Sequence, residues 1–289
     1  MPQRPGRVRG IVLALALSVS GALACERGEV ESLSFLRESK PVTSLTTKEL
    51  ARNIGLSRVT VFEPYERTEV AFTAMPLPLV LDQGYGPTWR ESEAIVFICR
   101  DGYQSAFPVQ RILDHRAFLA IGRPDAGGFT VLKDEEGTKK RVELGPSYVI
   151  WENLDDAQVR TEDDYGWPYQ VVRIDLVSLR SRFAEMAPPK NAGVKVAAGF
   201  EAFIVHCSQC HAMNGRGGVL GPELNYPVNP SEYMVDEWLR KWIDDPTSMR
   251  LRPRMPPLNP DLPDRTRIID EIVAYLGAMA SHKIEPSGP

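Results

Sequence analysis

Hydrophobic and polar positions follow two different rhythms along this 289-residue chain. From about residue 48 to residue 182, apolar residues come in short runs or alternate with polar ones. Val59-Thr60-Val61-Phe62 and Glu69-Val70-Ala71-Phe72 are rich in β-branched and aromatic side chains and flank a turn at Pro64-Tyr65-Glu66-Arg67, which predicts two strands. Ala94–Cys99 is continuously apolar, the pattern of a strand buried on both faces. Residues 118–121, 129–132 and 148–151 predict further strands. Val172, Ile174 and Leu176 alternate with Arg173 and Asp175 and mark a half-buried one. Residues 76–83 predict one short helix stopped by Gly84. Turn residues at 125–128, 136–137 and 145–146 punctuate the stretch.

After residue 194 the period becomes helical. Val196, Gly199, Phe200, Phe203 and Cys207 share one helix face. Ser231 can cap a helix carrying Met234, Trp238, Leu239 and Trp242, which Pro246 ends. Pro263-Asp264 opens a last helix with a stripe of Ile269, Ile272, Val273, Leu276 and Ala280. Between the two rhythms, Ala187-Pro188-Pro189-Lys190-Asn191-Ala192-Gly193 excludes helix and reads as a semi-rigid spacer that holds two domains close. At the other end, Arg4, Arg7 and Arg9 precede an apolar run over 11–24, too short to span a bilayer and ending in small residues: a secretory signal peptide. The predicted organisation is a signal peptide at 1–24, a polar tether at 25–47, a β-rich domain at 48–182, a linker at 183–193 and a helical domain at 194–284.

A formal net charge of −4 argues against a general nucleic-acid binder. Two of the four cysteines fall in Cys207-Ser208-Gln209-Cys210-His211, the C-x-x-C-H pattern of covalent haem attachment. Two thiols three residues apart can both reach the vinyl groups on one porphyrin edge, and His211 can then offer an imidazole nitrogen to the iron. A redox C-x-x-C pair would need a βαβ context, and a zinc site would need two more ligands; the flanks supply neither. Ala22-Leu23-Ala24-Cys25 is an A-x-A cleavage site that also resembles a bacterial lipobox. A lipid on Cys25 would anchor the chain to a membrane surface. A Cys25–Cys99 disulfide is the competing reading.

Several segments around the haem motif resemble class I cytochromes c. Gly199-Phe200 is similar to the family's first helix, where a small residue lets the last helix cross closely, and Tyr275-Leu276 to its last helix. Arg254-Met255-Pro256-Pro257 resembles the segment carrying the distal methionine, and Gly221-Pro222-Glu223-Leu224 the turn whose proline carbonyl accepts a hydrogen bond from the haem histidine. The resemblance implies one covalent haem c, with Cys207 and Cys210 as attachment points, His211 and Met255 as iron ligands and Pro222 orienting His211. Met213, Met234, Met249 and Met279 are the rival thioethers, of which Met249 is the serious one. His206 lies too far round the helix to reach the iron.

In the β-rich stretch, Asp101-Gly102-Tyr103 followed by Phe107-Pro108, Gly145-Pro146 before the strand at 148–151, and Trp167-Pro168-Tyr169 before the alternating strand resemble the sulfite-oxidase-like molybdopterin-binding fold. The expected fold class is therefore two domains: a mostly β (α+β) sulfite-oxidase-like domain and an all-α cytochrome c domain. A molybdopterin is not expected. Its only candidate ligand, Cys99, ends an apolar strand, and the arginines of the export segment are not paired. Asp101 and Tyr103 read as a turn with a core anchor.

The expected function is that of an exported, periplasmic lipoprotein carrying single electrons between a redox donor and acceptor, with the β-rich domain as docking scaffold. Arg250, Arg252 and Arg254, with Arg240 and Lys241, form a basic cluster suited to an acidic partner. The alternatives are a fused molybdenum dehydrogenase acting on a sulfite-type substrate through Cys99, and a haem-bearing subunit of a respiratory complex.

Overall fold

Two sheets carry the first two thirds of the chain in the computed structural model, which describes residues 1, 32–135, 138–156, 159–160, 166–260 and 262–286. The export segment, Cys25 and the turn expected at 136–137 lie outside the described residues. The larger sheet has the order β2 (Lys40–Thr46), β1 (Ser32–Arg37), β11 (Val171–Val177), β5 (Ala94–Cys99), β6 (Gln104–Pro108). Strand β1 runs parallel to β11, with Ser34 opposite Arg173 and Arg37 opposite Leu176; the other pairs are antiparallel. The smaller sheet is antiparallel, in the order β10 (Tyr148–Trp151), β7 (Ala117–Gly122), β4 (Thr68–Pro76), β3 (Ser57–Glu63). A hairpin, β8 (Thr130–Glu135) and β9 (Thr138–Glu143), stands apart from both. Helices α1 (Thr47–Ile54), α2 (Leu77–Tyr85) and α3 (Val109–Asp114) connect strands of this region. One core unites it, with Phe35, Leu50, Phe72, Leu81, Trp89, Phe97, Trp151 and Trp167 all buried.

The residues expected as a polar tether instead form β1 and β2. Leu33 and Phe35 point into the core from β1, while β2 lies at the sheet edge and stays largely exposed. Thr46 then starts α1 through a capping box: its hydroxyl accepts from the Glu49 N–H at 3.1 Å, and the Glu49 carboxylate accepts from the Thr46 N–H at 2.8 Å.

The last third holds α4 (Leu179–Phe183), α5 (Val194–His206), the short ribbon β12 (Ala212–Met213) and β13 (Arg216–Gly217), α6 (Pro230–Tyr233), α7 (Asp236–Asp244) and α8 (Arg265–Met279). Helices α5 and α8 cross closely at Gly199, where a Cβ would overlap the Glu271 carbonyl. Phe200 and Phe203 pack on the Tyr275 ring at centroid distances of 5.6 and 5.2 Å, and the Tyr275 hydroxyl donates to the Met186 carbonyl at 2.6 Å. The single helix expected after Ser231 is two. Asn229, not Ser231, caps α6, and Met234 and Val235 are extended before α7 begins.

The expected fold class is overturned. The chain is a mixed α/β protein with several sheets, and residues 31–289 form one compact unit. Among the described residues no all-α C-terminal domain stands apart. The helices share their stretch with the β12–β13 ribbon and long irregular loops. The turn after β5 is also bonded directly into that stretch: the Gln104 N–H donates to the Gln209 carbonyl at 2.9 Å, and the Val219 N–H to the Gly102 carbonyl at 3.0 Å. Helical periodicity locates helices, but it is silent about backbone bonds to residues a hundred positions away.

Candidate functional site

Cys207 ends α5, its N–H still bonded to the Phe203 carbonyl at 2.9 Å. The chain then continues as a tight turn. The Cys210 and His211 N–H groups both donate to the Cys207 carbonyl, at 3.1 and 2.9 Å. This turn brings the two cysteines and the histidine of the motif to one end of one helix. Both cysteines are free thiols. Burial pushes Cys207 up to about 12 and Cys210 up to about 11; the Asp101 charge adds to the rise at Cys210 and Lys133 opposes it.

His211 is held from two sides. Its Nδ1 lies 2.8 Å from the Pro222 carbonyl oxygen. A carbonyl can only accept, so Nδ1 carries the proton and Nε2 keeps its lone pair. Gly221 lies flush on the ring, where a Cβ would meet Nδ1 at 2.7 Å, and its N–H donates to the Cys210 carbonyl at 2.7 Å. Burial also holds the imidazole below its ordinary value, although the bond to Pro222 works the other way. The result is a neutral, oriented ring with one free nitrogen, the form a metal ligand requires. Sequence reasoning named Pro222 but missed Gly221, whose signal lay in the same Gly-Pro pair.

Met255 is half-buried and packs against the core of Phe203, Leu239, Leu258 and Ile272 that Cys207 also joins. Among its rivals, Met213 and Met279 are fully buried members of that core, and Met234 packs on its margin. Met249 is half-buried beside the 3-10 turn at Pro246–Ser248 and is not part of this packing. His206 is half-buried in the last turn of α5. Two free thiols, an oriented imidazole and a soft thioether are the donors that suit a c-type haem, and of these Cys207 and Met255 pack on one apolar core. Among the described residues no group of three or more His, Cys, Asp and Glu side chains could hold a metal ion; haem iron asks the chain for only one histidine and one thioether.

The DG turn contributes more than its sequence suggested. Asp101 folds it as an Asx turn, its Oδ1 accepting from the Tyr103 N–H at 3.0 Å, and the turn abuts the haem motif through the Gly102 and Gln104 backbone bonds. Nothing local in the sequence could announce the backbone bonds from Gly102 and Gln104 to Val219 and Gln209. Cys99, the sole candidate for a molybdenum ligand, is a buried thiol in β5 that burial and Asp101 push far up, and its N–H is committed to the Tyr103 carbonyl at 2.9 Å.

Of the basic cluster, Arg250, Arg252, Arg254 and Lys241 are exposed. Arg240 is committed to the helical core: its Nε donates to Asp270 at 2.6 Å and Nη1 lies 3.6 Å from Asp236. Exposed apolar side chains lie in the same stretches, with Leu251 between the arginines and Val219 and Leu220 leading into Gly221. Among the described residues no helix is long and apolar enough to cross a membrane. No protein-family model matches the chain, and no curated protein matches it either.

Proposed function

We propose that this chain is an exported monohaem c-type cytochrome that carries single electrons between periplasmic or membrane redox partners, with its β-rich portion as docking scaffold. The observation that carries the reading is the pairing of two free thiols with a histidine whose Nδ1 is engaged by Pro222 and whose Nε2 is free. Cys207 and Cys210 would hold the porphyrin edge, His211 the iron from one side and the Met255 thioether from the other. Haem c, when bound, supplies a one-electron iron couple, whose potential a methionine ligand raises. Pro222 and Gly221 fix the ring plane of His211, so its geometry need not reorganise when the charge changes.

Arg250, Arg252 and Arg254 beside exposed Leu251 give a surface of apolar contact rimmed by positive charge. That arrangement favours fast encounter with an acidic redox partner and weakens with salt. A lipid on Cys25 would keep the protein near membrane-bound partners.

The test is the metal content of protein purified from periplasm or membrane. One iron per chain, with a haem that stays attached through denaturation, is the expected result. An iron-free chain, or a haem released on denaturation, would remove the reading. Near-stoichiometric molybdenum would turn attention to Cys99 and a fused dehydrogenase.

A further inference from the structure

A cavity of about 140 Å³ lies where the five-stranded sheet meets the β12–β13 ribbon, and its lining residues Gln104 and Gly217 adjoin the backbone of Gln209 and His211. Its polar lining comes from Ser39, Gln104, Asp175, Arg182 and Arg216. Arg182, on α4, has both Nε and Nη2 buried without a hydrogen-bond partner. These two N–H groups form one edge of the guanidinium, the edge that grips two oxygens of an oxyanion side by side. Burial pulls Arg182 down to about 10, so it is still a cation at neutral pH.

Arg182 feels the Asp175 carboxylate's charge without a hydrogen bond to it, and Arg216 is committed elsewhere. Arg216 is held by Glu185 through two bonds, at 2.8 and 3.0 Å. Asp175 accepts from the Ser39 N–H at 3.0 and 3.2 Å and from its hydroxyl at 3.4 Å. A carboxylate has about four acceptor positions, so Asp175 can still take another donor. A metal cation is disfavoured by the buried guanidinium. At about 10–15 Å³ for one water in this measure, the cavity has room for a tetrahedral ion. A fully deprotonated anion would face the Asp175 charge, whereas one that keeps a proton can donate it to that carboxylate.

We propose that this cavity binds a small tetrahedral oxyanion carrying a proton, of the hydrogen phosphate class, with the Arg182 edge donating to two of its oxygens and Asp175 accepting its O–H. The proposal is independent of the haem reading. Neutral pH suits it, since hydrogen phosphate retains an O–H there and sulfate has none. A phosphate monoester, with a second pKa of about 6, keeps little O–H at neutral pH, which favours the free ion over an ester.

The test is calorimetric titration of the purified full chain with inorganic phosphate, sulfate and glycerol 3-phosphate at constant ionic strength. Saturable phosphate binding, at least tenfold tighter than that of sulfate or the ester, is expected. Arg182→Gln should lose at least tenfold in phosphate affinity, and Asp175→Asn should narrow the gap between phosphate and sulfate to within threefold. Absence of saturable phosphate binding by the unaltered chain overturns the proposal, whatever the variants do. Sulfate or the ester binding as tightly as phosphate overturns it too, as does an Asp175→Asn protein that keeps the full preference.

Discussion

At the residue scale, single backbone and side-chain groups decide what His211, Met255 and Glu63 can do. The Pro222 carbonyl leaves His211 with one free nitrogen, and the proposed haem then depends on which methionine stands opposite. Met255→Ala should abolish the weak long-wavelength band of thioether-ligated ferric haem. It should also lower the midpoint potential by on the order of 0.1 V, within the ~0.8 V span that axial ligands cover. If the spectrum and the potential are unchanged and Met249→Ala alters them instead, the ligand is Met249. Glu63 poses a different test, in the sheet region. It is fully buried in β3, accepts from the Tyr148 hydroxyl at 2.7 Å and from the Glu66 N–H at 2.6 Å, and burial raises it from 4.5 to about 7. Below the unfolded value both states hold the proton. Between the two values the unfolded chain loses the proton that the folded chain keeps, so stability falls as pH rises through this window, by up to about 3 kcal/mol. Denaturant melts from pH 4.5 to 8 should show that decline in the unaltered protein and a flatter profile in Glu63→Gln. Parallel profiles would assign the pH dependence to other groups.

At the element scale, what was legible in the sequence is what local pattern controls. Ala94–Cys99 reads as a buried strand because β5 is an interior strand of its sheet, between β11 and β6, and carries apolar residues on both faces. Strand β1 is just as well buried at Leu33 and Phe35, yet its local pattern is that of a tether. Its stabilising partner β11 lies some 140 residues on, and its other neighbour is an exposed polar edge. Strand β9 is almost wholly charged and exposed, so no hydrophobic alternation marks it; only its partner β8 defines it. The tight turn at Cys207–His211 follows from sequence-local spacing, whereas the bond between Pro222 and His211 is what the cytochrome c resemblance implies. The DG turn's contact with the motif was not legible, since two backbone bonds carry it and leave no side-chain signature. The break between α6 and α7 has a cause that can be tested. Asn229 is fully buried; its Oδ1 accepts from the Ser231 N–H at 2.9 Å, and its Nδ2 donates to Asn225 at 2.8 Å and to the Leu276 carbonyl at 3.0 Å. It therefore caps α6 and ties it to α8 at once. Asn229→Ala should cost about 2–3 kcal/mol by chemical denaturation, a lost cap plus buried partners left unsatisfied. A loss below about 1 kcal/mol would mean that water replaces the side chain.

At the scale of the whole molecule, the joint between the sheets and the haem motif sets how the protein should unfold. A flexible linker between independent domains would let each melt alone. Here the Gly102 carbonyl and the Gln104 N–H bond to Val219 and Gln209, residues on either side of His211, and the Asp101 charge reaches Cys210. The turn that makes these bonds connects β5 to β6, and β5 is an interior strand of the larger sheet. Losing the sheet would strip the motif of two backbone partners and open its cysteines to water. Losing the motif would expose the loop on which the turn rests. The two regions should therefore unfold as one cooperative unit. In a Trp238→Phe/Trp242→Phe background, two probes can follow the two regions separately: fluorescence of the buried Trp89, Trp151 and Trp167 in the sheet region, and circular dichroism in the absorption band of the proposed haem at the motif. Coincident midpoints and slopes in urea are expected. If the haem signal melts first while tryptophan emission holds, the backbone joint contributes little and the sheets are stable by themselves. Coincidence in the unaltered chain that is lost in Gln104→Pro, which deletes the N–H bonded to Gln209, would assign the coupling to this joint.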